Sequence, residues 1–210
     1  DNPNELQDGI VFLEAGQWVL PIEALIHEPN QSEALQKLLA TSIELVTRTP
    51  VTDMTSFWQR VAPLAADNER FEQITLQLGN KTYPLPRSNA AGRISTLLRI
   101  APADLTPNAQ GWVSYSTTSQ DQRVFTGWVQ LVPPQGQSII SDIDDTIKVT
   151  EIPQGTRAML ANTFLKTPQP TPGFPQWYQQ LAQQGQIFHY LSGGPNQLYE
   201  GLLQAFIQDY

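Results

Sequence analysis

Hydrophobic and polar positions change their rhythm near residue 131. Before that point apolar residues come in short runs or strict alternation. Ile10-Val11-Phe12-Leu13 and the stretch 17–26 read as two strands joined near Ala15-Gly16. Gln73-Ile74-Thr75-Leu76-Gln77-Leu78 alternates cleanly and turns at Gly79-Asn80 into Lys81-Thr82-Tyr83, a hairpin signal. Further strands are predicted at 93–100, at 111–115 and at 124–131, the last two paired. One amphipathic helix interrupts them: 32–46 carries Ala34, Leu35, Leu38, Leu39, Ile43 and Leu45 at helical spacing, with Asn30 as its cap. Residues 57–65 fit either helix or strand. Pro63 sits badly inside a helix, so a strand is predicted there. The expectation is a mainly-β, sandwich-like domain with one helix over 1–135, ending at the breaker-rich hinge Pro133-Pro134-Gln135-Gly136.

Beyond the hinge strands and helices alternate. Ile139-Ile140 reads as a buried strand, 156–164 and 177–182 as helices, and 186–191 as a second strand stopped by Ser192-Gly193-Gly194. A helix is predicted to follow, with Pro195 in its first turn and Leu198, Leu202, Leu203 and Phe206 on one face. Residues 136–210 form the second predicted domain.

The chemistry concentrates where the first of these strands ends, at Ser141-Asp142-Ile143-Asp144-Asp145-Thr146. Asp142 and Asp144 are two apart and share a side of the chain. Like charges so placed repel unless a cation or a transferable proton offsets them. Magnesium fits, because it takes hard oxygen ligands and is commonly held by one or two carboxylates together with a substrate phosphate. The plainer reading is an acidic turn whose Asp and Thr side chains bond local amides. A calcium loop fits poorly, since the sixth and twelfth positions from Asp142 are Ile147 and Pro153. Ser192 and the amides of Gly193 and Gly194, at the start of a helix, would suit a bound anion. His189 is read as a packed core residue, His27 as a surface one, and the tryptophans chiefly as core.

Composition narrows the function. A formal charge of -8 argues against nucleic acid as a partner and requires a local feature to draw in any anionic substrate. The absence of cysteine excludes a thiolate nucleophile, a disulfide framework and a cysteine-based zinc site. No apolar stretch is long enough to span a membrane. The opening Asp1-Asn2-Pro3-Asn4, without an initiator Met, suggests an exported, periplasmic protein; cytoplasmic placement is the alternative.

An Asp-x-Asp-x-Thr strand, a crossover helix, and a strand ending in Ser before a Gly-rich turn together resemble the haloacid dehalogenase-like phosphotransferases. The run Ser141-Asp142-Ile143-Asp144-Asp145-Thr146-Ile147-Lys148, with Asn162-Thr163-Phe164-Leu165, Pro172-Gly173, Phe188-His189-Tyr190 and Gln197-Leu198-Tyr199, is similar to the catalytic domain of the actin-patch phosphatidate phosphatases, relatives of the lipins. The stretch Phe57 to Leu85, with Ala66-Asp67-Asn68-Glu69-Arg70, is more weakly similar to the region preceding that domain in bacterial members.

The resemblance implies an α/β, haloacid dehalogenase-like fold with an incomplete Rossmann-type parallel sheet. It also implies a Mg2+-dependent phosphatase that works through an aspartyl-phosphate. Asp142 would be the nucleophile and Asp144 the acid and base. Asp142 and Asp144 would also bind the metal, while Ile143, Thr146, Ser192, Gly193 and Gly194 would line the phosphate site. The substrate would be a phosphate ester, phosphatidate at a membrane surface. Two parts of that machinery, a phosphate-contacting lysine and a late acidic metal ligand, find no counterpart. Lys148 and Lys166 both precede Ser192, which is the wrong order. The expectation is therefore a fragment, or a sheet completed by further residues or another chain, with an unpaired edge and an uncovered apolar face. Two alternatives stand beside phosphatidate hydrolysis: a non-catalytic binding protein, and the same chemistry on a soluble phosphate ester.

Overall fold

The computed structural model describes residues 3–7, 9–118 and 122–209. Asp1, Asn2 and Tyr210 lie outside them. The chain forms two compact units, one of residues 1–28 and 66–135, the other of 29–65 and 136–210. This differs from the expected 1–135 and 136–210 boundary, because the helical segment 29–65 packs with the second unit.

In the first unit nine strands form one sheet. They are β1 (Pro3–Gln7), β2 (Gly9–Glu14), β3 (Gln17–Glu28), β4 (Asp67–Asn68), β5 (Thr75–Leu78), β6 (Lys81–Pro84), β7 (Arg93–Ile100), β8 (Trp112–Thr118) and β9 (Val124–Leu131). The path runs β1-β3-β2-β9-β8-β5-β6, with β4 and β7 also on β3. β2 links the two halves, since Gly9 to Val11 pair with β9 and Phe12 to Glu14 with β3. Alternation in the sequence becomes alternation of burial: Leu76 and Leu78 point inward while Thr75 and Gln77 face out. One core gathers Leu20, Ile22 and Ile26 of β3 with Ile94 of β7, Val113 and Tyr115 of β8 and Val129 of β9. Tyr115 lies over Gly127, its cross-strand partner, which has no Cβ to obstruct the ring. His27, expected at the surface, is buried at the end of the long β3 strand, and its burial lowers its pKa, with Arg123 adding to the effect.

The second unit begins with α1 (Glu33–Thr47) and α2 (Met54–Val61). Ser32, not Asn30, caps α1 by accepting from the Leu35 amide, while Asn30 accepts from the Ser32 amide. The strand predicted over 57–65 is a helix instead. Asp53 caps it through the Ser56 amide, and Pro63 falls in a 3-10 turn after the α-helix has ended, where it breaks no helical bond.

These helices pack on the segment 156–165 through Phe57, Val61 and Phe164. Arg60 donates to the Lys166 carbonyl and Arg157 to the Thr47 carbonyl. Apolar periodicity does not say what a helical face packs against, so the sequence alone groups 29–65 with its chain neighbours.

The rest of the unit comprises β10 (Ser138–Asp142), α3 (Thr156–Leu160) running into a π-helical turn (Ala161–Leu165), α4 (Phe174–Gln183) and β11 (Ile187–Leu191). A second π-helical turn (Tyr199–Leu203) and α5 (Gln204–Asp209) follow. Pro195 opens a turn before that last helical segment and does not sit within its first turn.

β10 and β11 pair in parallel, from Ser138 with Ile187 to Asp142 with Leu191. One face is covered. Ser141 shares a hydrogen bond with Tyr178 of α4, and Phe188 and Tyr190 pack in the same cluster. Burial, with Tyr178 nearby, pushes the Tyr190 phenol up to about 12. The other face is open, with Ile140 70% and Leu191 61% exposed. The strand expected to be buried is thus buried on one side only, and the uncovered apolar face is present. Among the described residues no helix is long and apolar enough to cross a membrane.

Candidate active site

Parallel pairing of β10 and β11 brings the tip carrying Asp142 beside the strand that ends before Ser192. After Asp142 the chain closes into a tight loop. The Ile143 carbonyl accepts from the amides of Thr146, Ile147 and Lys148, and the Ile143 side chain is buried beneath. Asp145 stands in the left-handed region at φ 59°, a conformation Asp tolerates because its short side chain bonds locally. Asp142 stays exposed at the rim, and Thr146 donates to its Oδ2 at 3.4 Å.

Asp144 is held from two sides. Its Oδ1 accepts from Thr150 Oγ1 at 2.6 Å and pairs with Lys148 Nζ at 3.2 Å. Its Oδ2 accepts from Ser192 Oγ at 3.4 Å. Lys148 also donates to Thr150 Oγ1 and is 1% exposed. A buried ammonium needs such partners, because leaving it unpaired costs several kcal/mol. The carboxylate, the hydroxyl and the ammonium therefore form one unit, with Asp144 Oδ2 turned toward Ser192.

A second carboxylate builds the scaffold behind it. Asp145 Oδ1 accepts from the amides of Thr150 at 2.8 Å and Glu151 at 2.6 Å, and Oδ2 from that of Ile152 at 2.7 Å. Desolvation alone would raise the Asp145 carboxyl, but these three amides and Lys148 together outweigh it and hold it below the usual carboxylate range. Asn162 of the π-helical turn donates to the Thr150 carbonyl and to Glu151 Oε2. Asp145 and Asn162 thus fix the segment that presents Thr150 to Asp144.

Several sequence expectations change here. Lys148, which chain order excludes as the phosphate-contacting lysine, has its ammonium against Asp144, because the loop returns its fourth residue to the same carboxylate. Asp145, Thr150 and Asn162 were not expected in the site at all. The usable signal was a lysine and a threonine closely following two acids. Gly193 and Gly194 do not open a helix. The Gly194 amide donates to Ser192 Oγ at 3.0 Å, so it is engaged within its own turn. Among the described residues no group of three or more His, Asp or Glu side chains gathers around a point where a metal ion could sit.

Comparison with known proteins covers this same part of the chain. Residues 137–210 match the family described as Phosphatidate phosphatase APP1, catalytic domain. An uncharacterized protein of Schizosaccharomyces pombe is 32% identical over 101 residues, 46% of this chain and 17% of that protein. Phosphatidate phosphatase APP1 of Saccharomyces cerevisiae is 40% identical over 79 residues, 36% of this chain and 13% of the yeast protein. The chain thus spans less than a fifth of either relative. No solved structure matches it significantly. Asp142, Asp144, Lys148, Thr150, Asn162 and Ser192 all lie inside the matched stretch, and residues 137–210 are similar to a catalytic domain of the phosphatidate phosphatase APP1 type.

Proposed function

We propose that the protein is a magnesium-dependent phosphatase that hydrolyses a phosphomonoester, phosphatidate, through an aspartyl-phosphate in a haloacid dehalogenase-like domain. The observation that carries this reading is the placement of Asp144 Oδ2 against Ser192 Oγ, at the end of the strand pair that presents Asp142.

The residues fit a magnesium ion that keeps several of its waters. Asp142 offers an exposed, hard carboxylate oxygen at a strand tip, and a site with so few protein ligands suits an ion that completes its shell with water and substrate oxygens. Asp142 and the Asp144 backbone carbonyl would hold it. Its contribution would be to offset the negative charge of the phosphoryl group, which a chain of formal charge -8 otherwise repels.

In the proposed reaction Asp142 attacks phosphorus, the bond from phosphorus to the leaving oxygen breaks, and Asp144 gives that oxygen a proton. Asp144 then takes a proton from water as the water attacks the acyl phosphate. Inorganic phosphate leaves and the Asp142 carboxylate is restored. Ser192 donates to a phosphoryl oxygen, with the Ile143 amide and Thr146 on the same rim. Lys148 and Thr150 hold Asp144 Oδ1, so that Oδ2 is the oxygen that handles the proton.

The non-catalytic alternative draws on one observation, the lack of a third acidic or histidine ligand among the described residues. Phosphate release by the full chain in magnesium, with Asp142→Asn beside the parent, separates the two. The variant is expected to fold and to lose turnover. Residual turnover above roughly a tenth would remove Asp142 as the nucleophile.

A further inference from the structure

A cavity of about 520 Å3 opens directly beside these acids. Its lining combines two chemistries. Asp142, Asp144, Lys148 and Ser192 line it together with the apolar Met159, Leu160, Phe164, Leu198, Leu202 and Leu203. Phe164, Leu202 and Leu203 are each less than a tenth exposed, so that part of the wall is already packed in place. Both π-helical turns contribute to it, one through Phe164 and the other through Leu202 and Leu203. Such turns are rare and recur at functional sites.

We propose that this cavity is a tail subsite that takes one alkyl chain of a phosphate ester whose phosphoryl group sits at Asp142. The inference rests on the phosphatase reading and adds to it where the apolar part of the substrate goes. A sugar or other polar phosphate would lose its water against these walls and find few partners there, at a cost of roughly 1–3 kcal/mol for each unpaired group. An alkyl chain loses nothing in the same place.

Size points to a single chain. An apolar cavity of about 150 Å3 holds one benzene ring. This one is more than three times larger, room for about twenty carbon-sized groups on that scale. The phosphoryl end uses part of that, and one chain fills the remainder. A two-chain lipid would seat one chain here and leave the other outside.

The test is calorimetric binding of non-hydrolysable n-alkylphosphonates, from butyl to decyl and below their micelle concentrations, to the full chain in magnesium. Turnover of the matching alkyl phosphates is measured alongside. Affinity is expected to rise roughly four-fold per methylene, a few thousand-fold across the series. Met159→Trp and Leu160→Trp, which fill the cavity, are each expected to level that rise at a shorter chain. Binding that varies less than two-fold across the series in the parent chain, or an unaltered length dependence in folded variants, overturns the subsite. Binding that steepens with length without any turnover supports the subsite and removes the phosphatase reading. Turnover indifferent to length, with equally flat binding, keeps the phosphatase and overturns the subsite.

Discussion

Asp145 offers the sharpest check on how the catalytic loop is built. Its carboxylate collects the amides of Thr150, Glu151 and Ile152 at 2.6 to 2.8 Å, and it does so from the left-handed region. A hydrogen bond to a charged group contributes about 1.5–3 kcal/mol when sheltered. The Asp145 side chain is exposed, so solvent screening brings each down to about 1 kcal/mol. Asp145→Ala removes all three and places a Cβ without a local hydrogen bond at positive φ, for a total of about 3–4 kcal/mol. Asp145→Asn keeps one acceptor oxygen and tolerates the same backbone, but it turns an NH2 toward one of the amides; about 1–2 kcal/mol is expected.

Hydrogen exchange reads this directly. The amides of 150, 151 and 152 are expected to lose protection in both variants, more in Asp145→Ala, alongside the drop in unfolding free energy. The sign with pH follows from a folded-state pKa held below the unfolded one. The contribution is fully present above the ordinary carboxylate value and is lost as pH falls through the folded value. The gap between parent and variants is therefore expected to close in acid. Turnover is expected to fall too, since these amides position Thr150 on Asp144. An Asp145→Ala variant within 0.5 kcal/mol of the parent, with unchanged exchange at the three amides, would refute the argument.

Two further outcomes test the β-rich unit. A Cβ at Gly127 would stand 2.6 Å from the Tyr115 ring; Gly127→Ala is expected to cost about 1–3 kcal/mol in urea unfolding, and a neutral result would mean the ring has room to move. Burial lowers the His27 pKa from its ordinary 6.5, with Arg123 adding to it, so the unfolded chain takes up a proton before the folded one. Stability is expected to be full above 6.5 and to fall as pH drops from there toward the folded value; a His27→Gln variant with the same slope between pH 7 and 5 would contradict this.

Local pattern was a sound guide wherever a single element decides its own state. The alternation at 73–78 with Gly79-Asn80 yields β5, β6 and their turn; the two apolar-rich runs 93–100 and 124–131 yield β7 and β9. The acids that follow Ser141 and the serine after β11 are read together in the sequence, and the fold brings Asp144 and Ser192 within 3.4 Å of each other. Pro63 misled: the residue forbids only a helix interior, and here it stands two residues past the end of the α-helix. Asn30 was mistaken for the cap two positions away because both are good acceptors, and only the amide each one meets separates them.

What local pattern could not supply is which surfaces meet. Nothing in the spacing of 29–65 says that its helices leave the neighbouring strands and pack with residues 136–210, since an apolar stripe states that it will be covered and not by what. Lys148 is the clearer case. Chain order argued against it, yet a loop closed on the Ile143 carbonyl and tied by Asp145 brings its ammonium to Asp144 and buries it there. Residue types and their periodicity decided the elements and the chemistry at their ends. Which charges lie within a few ångströms of one another depends on how those ends close in space, and that was settled by the folded chain.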